Sequence, residues 1–271
     1  MTGRRLWFSA SLSASLLALL FAGFCGYLFG LSHFQEQHSQ STMYKNFAGQ
    51  LATAVAPVAV PADGVPVAIL DMPTVHLTHA VVVEGTTGTD LARGPGHLAG
   101  TVLPGQDGVT VLLGRHGTFG APFAQLAGLR VGDKIQVTTG QGVFTYQVNA
   151  YGHGAHPVQD QARDRMVLVT ADSSWIPTET VYVGARLVGQ PADTPARVGA
   201  VSATGRPLAT DPSALQPLQL WSLALLIVSV LAGLGVRYWN RRATYLVLSP
   251  VLFALVWTVY ASTALYLPNL Y

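Results

Sequence analysis

Sulfur is almost missing from this chain. Its 271 residues include one cysteine, Cys25, which lies inside an apolar run. The polar part therefore has no disulfide framework, no thiolate metal cluster and no thiol nucleophile. Cys25 itself reads as a small hydrophobe within a helix. Charge is scarce too: Asp, Glu, Lys and Arg make up 10% of the residues, against about 25% in ordinary soluble domains. The net charge of +2 is small and partly belongs to the flanks of apolar runs, so no nucleic-acid partner is expected. No motif calls for a cofactor.

What the chain has instead is hydrophobic length. Half of its residues are hydrophobic, and most of the excess sits in residues 6–31, 218–236 and 243–267. Each run reaches the ~20 residues a membrane-spanning helix needs. Arg4 and Arg5 precede the first run, while Arg237, Arg241 and Arg242 lie between the second and third. Basic flanks stay in the cytoplasm, which predicts a cytoplasmic N-terminus, an extracytoplasmic middle region and a helical hairpin leaving Tyr271 outside. Trp7, Trp221, Trp239 and Tyr266 fall near span ends, where amphipathic rings favour the interface. The first run has the alternative of a cleaved signal peptide. Its apolar core exceeds the usual ~7–15 residues and no small-x-small cleavage site follows, so an uncleaved anchor is favoured. Ala232, Gly233, Gly235, Ser222 and Ser229 permit close helix packing, though ordinary span composition accounts for them as well.

Between the spans lie about 185 residues, enough for one domain with a sizeable core. Residues 32–56 are polar and then Ala-rich, a helix continuing off the membrane. Residues 54–64 alternate Pro, Ala and Val as an extended connector does. Short β-rich runs follow at 65–70, 80–84, 110–114, 134–138, 144–151, 166–170 and 180–188, separated by Gly, Pro and Asp. That pattern predicts a barrel or sandwich. Pro122 suits the start of a helical turn over 122–126. Residues 190–215, rich in Pro, Ala, Thr and Ser, read as a flexible tether. The expected organisation is an anchor at 1–31, a stalk at 32–64, a β-domain at 65–189, a linker at 190–217 and a hairpin at 218–267.

Several motifs in the β-region occur together. Gly94-Pro-Gly-His97, Leu103-Pro-Gly-Gln-x-Gly108, Gly120-Ala-Pro-Phe123, Leu126…Leu129…Gly132-Asp133 and Leu168-Val-Thr170 jointly resemble the sortase family, nearest its actinobacterial class E/F-like branch, over residues 65–187. The resemblance implies an eight-stranded barrel, so the expected fold is mainly β, that barrel held by the one N-terminal and two C-terminal transmembrane helices read from the apolar runs. It also implies cysteine transpeptidase chemistry: a thiolate attacks a peptide carbonyl, a His moves the proton and an Arg stabilises the oxyanion.

The chain departs from that pattern where the chemistry sits. Ala171 holds the nucleophile's place in Leu168-Val-Thr-Ala171, and a methyl cannot attack a carbonyl. The family's Gly-His-Arg reads Gly114-Arg115-His116 here, and Thr180 stands where the family has its second Arg. No catalytic residue is therefore expected, and Arg115, His116, Thr170, Ala171, Asp172 and Thr180 mark a degenerate groove. Strand alternation would point His116 away from it, whereas a loop conformation there would still let it reach the groove. Ser173 is a weak alternative nucleophile, since Ser173 and Ser174 more commonly cap a turn. Asp172 reads as a turn-former or as a carboxylate for a cation or basic peptide. Arg115 reads equally as an anion binder or as the partner of an acid such as Asp172. His97 reads as structural. His153 with His156, and His33 with Glu36 and His38, do not complete a metal site.

The leading functional expectation is a non-catalytic binding or scaffold subunit of a cell-envelope complex. It would sit in the lipid bilayer and hold other membrane or cell-surface proteins through its groove or spans. The alternatives are a peptidase or transpeptidase using Ser173 with His116, and a purely structural element with its groove closed. A groove filled by the chain's own residues favours the last.

Overall fold

The structure, a computed structural model, describes residues 15, 18–158, 160, 162–172, 178–195, 210, 212–238, 241–268 and 270. Its first element is one long helix, α1 (Ala18–Ala52), with a π-helical turn at Tyr27–Leu31 where the Ser32 N–H donates to Tyr27 O. The apolar first part of α1 gives way to a polar part that has one useful face. Ser32, Glu36, Gln40, Met43 and Phe47 recur at spacings of four and three, which places them on one side of the helix. That side lies on the β-domain. Gln40 donates to Val81 O (3.0 Å) and Arg93 O (2.7 Å) and accepts the Val81 N–H (2.7 Å). Met43 packs on Val81 and Val83, and Phe47 on Ile69. The expected stalk is thus a docked flank of the domain.

Eight strands follow: β1 (Pro66–Met72), β2 (Leu77–Glu84), β3 (Gly96–His97), β4 (Val109–Leu113), β5 (Lys134–Thr139), β6 (Gly142–His153), β7 (Arg165–Ala171) and β8 (Thr180–Val188). They close a barrel in the order β1-β2-β3-β4-β7-β8-β6-β5. The pairs β2–β3 and β4–β7 are parallel, the rest antiparallel. Seven strands match the apolar runs of the sequence. The eighth, β3, is two residues long within Gly94-Pro-Gly-His97, too short for any alternation.

The barrel interior is filled by Val82, Leu112, Phe123, Ile135, Val137, Met166, Leu168 and Val183, among others. Both faces of β1 and β2 are covered, the inner by this core and the outer by α1. This explains why Val67-Ala-Ile-Leu70 and Val81-Val-Val83 are continuously apolar rather than alternating. The turn at Pro104-Gly105 is equally constrained. Gly105 has a φ of +92° and donates to Tyr146 Oη (2.7 Å), and a Cβ there would meet the Phe144 ring at 2.2 Å. Gln106 next to it donates to Val58 O and Gln141 Oε1, both at 2.8 Å, pinning the connector to the barrel. The expected helical turn over 122–126 instead becomes a 3₁₀ turn at Leu126–Gly128. Its i→i+3 bonds begin with the Ala124 N–H on Ala121 O and the Leu126 N–H on Phe123 O.

Beyond the barrel, the first residues of the predicted tether are held. Ala192 and Gly105 are bonded through Ala192 N–H, and Thr194 Oγ1 donates to Asp107 O. A helical hairpin, α3 (Leu215–Tyr238) and α4 (Arg241–Tyr266), completes the described chain. With α1 these make three helices long and apolar enough to cross a membrane. α4 packs on α1 through Phe24 with Tyr260 (5.6 Å between ring centroids) and Tyr27 with Trp257 (5.4 Å), and Tyr260 Oη donates to Leu20 O. Arg4, Arg5, Trp7, Trp239, Tyr271 and most of the 190–215 tether lie outside the described residues.

Candidate functional site

One end of the barrel gathers the residues singled out in the sequence. β4 and β7 run parallel side by side, and β8 pairs antiparallel with β7 so that Ala171 faces Thr180 directly. Along β7 the pleat sends Met166 and Leu168 into the barrel core and Val167, Val169 and Ala171 to the other face. Ala171 therefore points outward from the barrel, with Thr180 beside it on the same face. Thr170, on the inner parity, donates to Gly114 O (2.8 Å) and locks the end of β7 to the segment leaving β4.

Arg115 and His116 follow β4 on irregular backbone, where strand alternation no longer decides which way a side chain points. Gly114 is needed there: a Cβ would strike the Phe123 ring at 2.4 Å. Arg115 is fully buried. It donates to Gly88 O (3.0 Å) and Thr118 Oγ1 (3.4 Å) and lies over the Phe119 ring at 4.8 Å. Among the described residues no carboxylate pairs with it, and burial lowers its pKa to about 10. The expectation that it would pair with Asp172 is not met, because the guanidinium turns towards Gly88–Leu91, the helix α2.

His116 is the residue that feels Asp172. Burial pushes its imidazole below the ordinary value, and the Asp172 carboxylate pushes it back up. The reading that alternation would carry His116 away from the site is corrected accordingly, since residues 114–116 are not strand. Asp172 also acts as the turn-former expected of it, accepting the N–H groups of Thr178 (3.1 Å) and Glu179 (3.4 Å). Ser173 and Ser174 lie outside the described residues.

The surface above Ala171 is not open. Leu270 has no exposed area and packs with Leu91, Leu113, Val169 and Ala171, and the His116 N–H donates to Leu270 O at 3.0 Å. Nothing in the sequence marks Leu270, an apolar residue just past a span. Phe119 and Thr118 were missed for a similar reason: they support Arg115 from a Gly-rich loop without motif character of their own.

His97 serves the framework. It is completely buried, with Nδ1 2.6 Å from Glu84 Oε2 and Nε2 2.8 Å from Val102 O and 2.9 Å from Thr101 Oγ1. His153 and His156 form a β-bridge. His33 meets Gln37, while Glu36 abuts Gly120 on the barrel. Among the described residues, no three His, Cys, Asp or Glu side chains converge as a metal site would need.

The Sortase domain family matches residues 70–188. Sortase D of Bacillus subtilis (strain 168) is 32% identical over 88 residues, which is 32% of this chain and 42% of that protein. The match thus spans about two-fifths of the relative's length. Among solved structures, a Clostridium perfringens sortase D5 transpeptidase superposes with a TM-score of 0.47 at 20% identity, covering 56% of this chain and 99% of the other. Sortase E from Streptomyces avermitilis does so with a TM-score of 0.42 at 28% identity, covering 48% and 93%. The family match over residues 70–188 falls on the stretch that builds the closed eight-stranded barrel, and over that stretch this chain is similar to sortases.

Proposed function

We propose that this protein is a non-catalytic sortase-fold subunit, anchored by three spans with its barrel outside the cell, that serves as a binding or structural scaffold in a cell-envelope assembly. One observation carries the reading: Ala171, which the resemblance puts where the family's thiolate would stand, is a methyl group buried beneath Leu270. Transpeptidation needs a nucleophile at that point and room for a peptide carbonyl to approach it. Neither is available there, and the nearby Arg115 is engaged with Gly88, Thr118 and Phe119 rather than presented to a ligand. The outside placement of the barrel is supported by the basic residues Arg237 and Arg242 between the second and third spans. While Leu270 is seated, scaffolding falls to the outer surface of the barrel and to the spans, and the groove above Ala171 serves only when it is open; α3 buries none of its residues within this chain.

The test is direct. The full chain in detergent is incubated with sorting-signal peptides, and cleavage and amine transfer are followed by mass spectrometry. No turnover is expected, and none on adding Ser173→Ala or His116→Ala; turnover abolished by either variant would overturn the proposal. Capture from native membranes should yield a stoichiometric membrane or surface protein.

A further inference from the structure

The contacts of Leu270 describe more than a covered surface. We infer that Leu270 is a removable plug for the site above Ala171, and that the packing of α4 against α1 decides whether it is seated. This rests on the proposed scaffold reading only for the existence of a site worth closing.

The plug is joined to its socket in two ways. Its side chain is enclosed by Leu91 of α2, Leu113 of β4, and Val169 and Ala171 of β7, so three separate elements form the socket. Its carbonyl takes the His116 N–H, the contact an extended strand laid along the groove would make. The linkage behind it is short. α4 ends at Tyr266, and four residues of extended chain reach at most ~14 Å. The plug therefore cannot stay seated if the outer end of α4 moves away from the barrel.

That outer end is clamped. Ala264, Leu265 and Leu267 pack in one cluster with Tyr27 and Leu28 of α1, with Ala92, and with Phe119 of the site loop. Phe119 in turn donates its N–H to Ser32 Oγ on α1 and carries the Arg115 guanidinium on its ring. One contact set thus holds α1, α4, the plug and the loop bearing Arg115 and His116. Separation of α4 from α1 breaks the cluster and withdraws Leu270.

Closure also leaves polar atoms unanswered. Among the described residues, Arg115 Nε and His116 Nδ1 are buried with no hydrogen-bond partner. Stranding two polar atoms opposes the burial of one leucine by an amount of the same order. The seated state is accordingly held shallowly, as a plug meant to leave must be.

A thiol reporter tests this in the full chain reconstituted in nanodiscs. In a Cys25→Ser background, Ala171→Cys introduces a thiol at the floor of the socket, and its maleimide labelling rate is measured. Slow labelling is expected, rising by at least about tenfold with Leu270→Asp, which corresponds to shifting the seated state by ~1.4 kcal/mol. Tyr260→Ala, which removes α1–α4 ring contacts without touching a residue of the socket, should give a rise in the same direction. Labelling that is fast with Leu270 intact, or unchanged by Leu270→Asp, overturns the plug; labelling unaffected by Tyr260→Ala overturns its coupling to the helices. Should Leu270→Asp fail to fold, amide exchange of His116 in the native chain decides: protection supports the plug and free exchange removes it. Peptide turnover by the native chain would defeat the scaffold reading and leave these rates unchanged.

Discussion

At positions 97 and 116 two histidines sit in the same domain with opposite fates. His97 is walled in, each ring nitrogen facing an oxygen, with Glu84 as its charged neighbour. Removing it as His97→Ala leaves the Glu84 carboxylate buried with neither oxygen bonded, since Oε1 already lacks a partner. The expected loss is about 3–5 kcal/mol, read as a fall in the urea midpoint. His116 is only partly shielded, and burial lowers its pKa from 6.5. A base whose folded pKa lies below its unfolded one takes up its proton more readily when unfolded. Its contribution to stability is therefore present above pH 6.5 and is withdrawn as the pH falls through that value towards the folded one. Melting temperatures of the native chain and of His116→Gln, compared from pH 7.5 to 5.5 (about one unit either side of the ordinary value), should diverge: the native chain loses stability on acidification and the variant loses less.

At the scale of elements, the docking of α1 changes what the β-domain is. Val81 and Val83 on β2 and Ile69 on β1 turn apolar side chains outward, where α1, joined at Ile69 by Ala56 of the connector, covers them. Gln40 anchors that cover with three hydrogen bonds to backbone that would otherwise be stranded. Gln40→Ala leaves the buried Val81 N–H unpaired and should cost about 2 kcal/mol in denaturant titration, with faster amide exchange at Val81 as its local signature. The β4–β7 parallel pair matters as much for the site. Because β8 then lies next to β7, Ala171, Thr180, Arg115 and His116 come to one barrel end although 65 positions separate Arg115 from Thr180 in the chain.

For the whole molecule, the consequence is that the barrel and the three long apolar helices are continuous. α1 runs from its apolar part directly onto the barrel flank, and α4 returns to the same side through Phe119, Ala92 and Leu270. A fragment of residues 65–195 would expose Ile69, Val81 and Val83, and should aggregate on size-exclusion chromatography. A fragment of residues 32–195, keeping the polar part of α1, should run as a single soluble species. Equal behaviour of the two would mean that α1 contributes little to the cover of β1 and β2.

Much of this was readable in the residues themselves. The three spans follow from apolar length, which no soluble packing requires, and the strands follow from β-rich runs cut by Gly and Pro. That position 171 carries a methyl and no thiol needs no coordinates, because the absence of a functional group is a property of the residue. Other features depend on neighbours that sequence distance hides. Strand β3 is too short to carry a period. The direction of Arg115 and His116 is set by a loop beyond the end of β4, where alternation gives no guidance. Ser32–Ala52 looked like a polar stalk, because a face that buries Ser, Glu and Gln has no hydrophobic pattern; its partners are backbone groups, which any sequence presents. Local composition therefore determined that this chain has three helices long and apolar enough to cross a membrane, folds its middle as a β-barrel and carries only a methyl at Ala171. Only the tertiary structure decided that α1 docks on the outside of the barrel and that Leu270 covers Ala171, since both depend on which distant surfaces packing brings together.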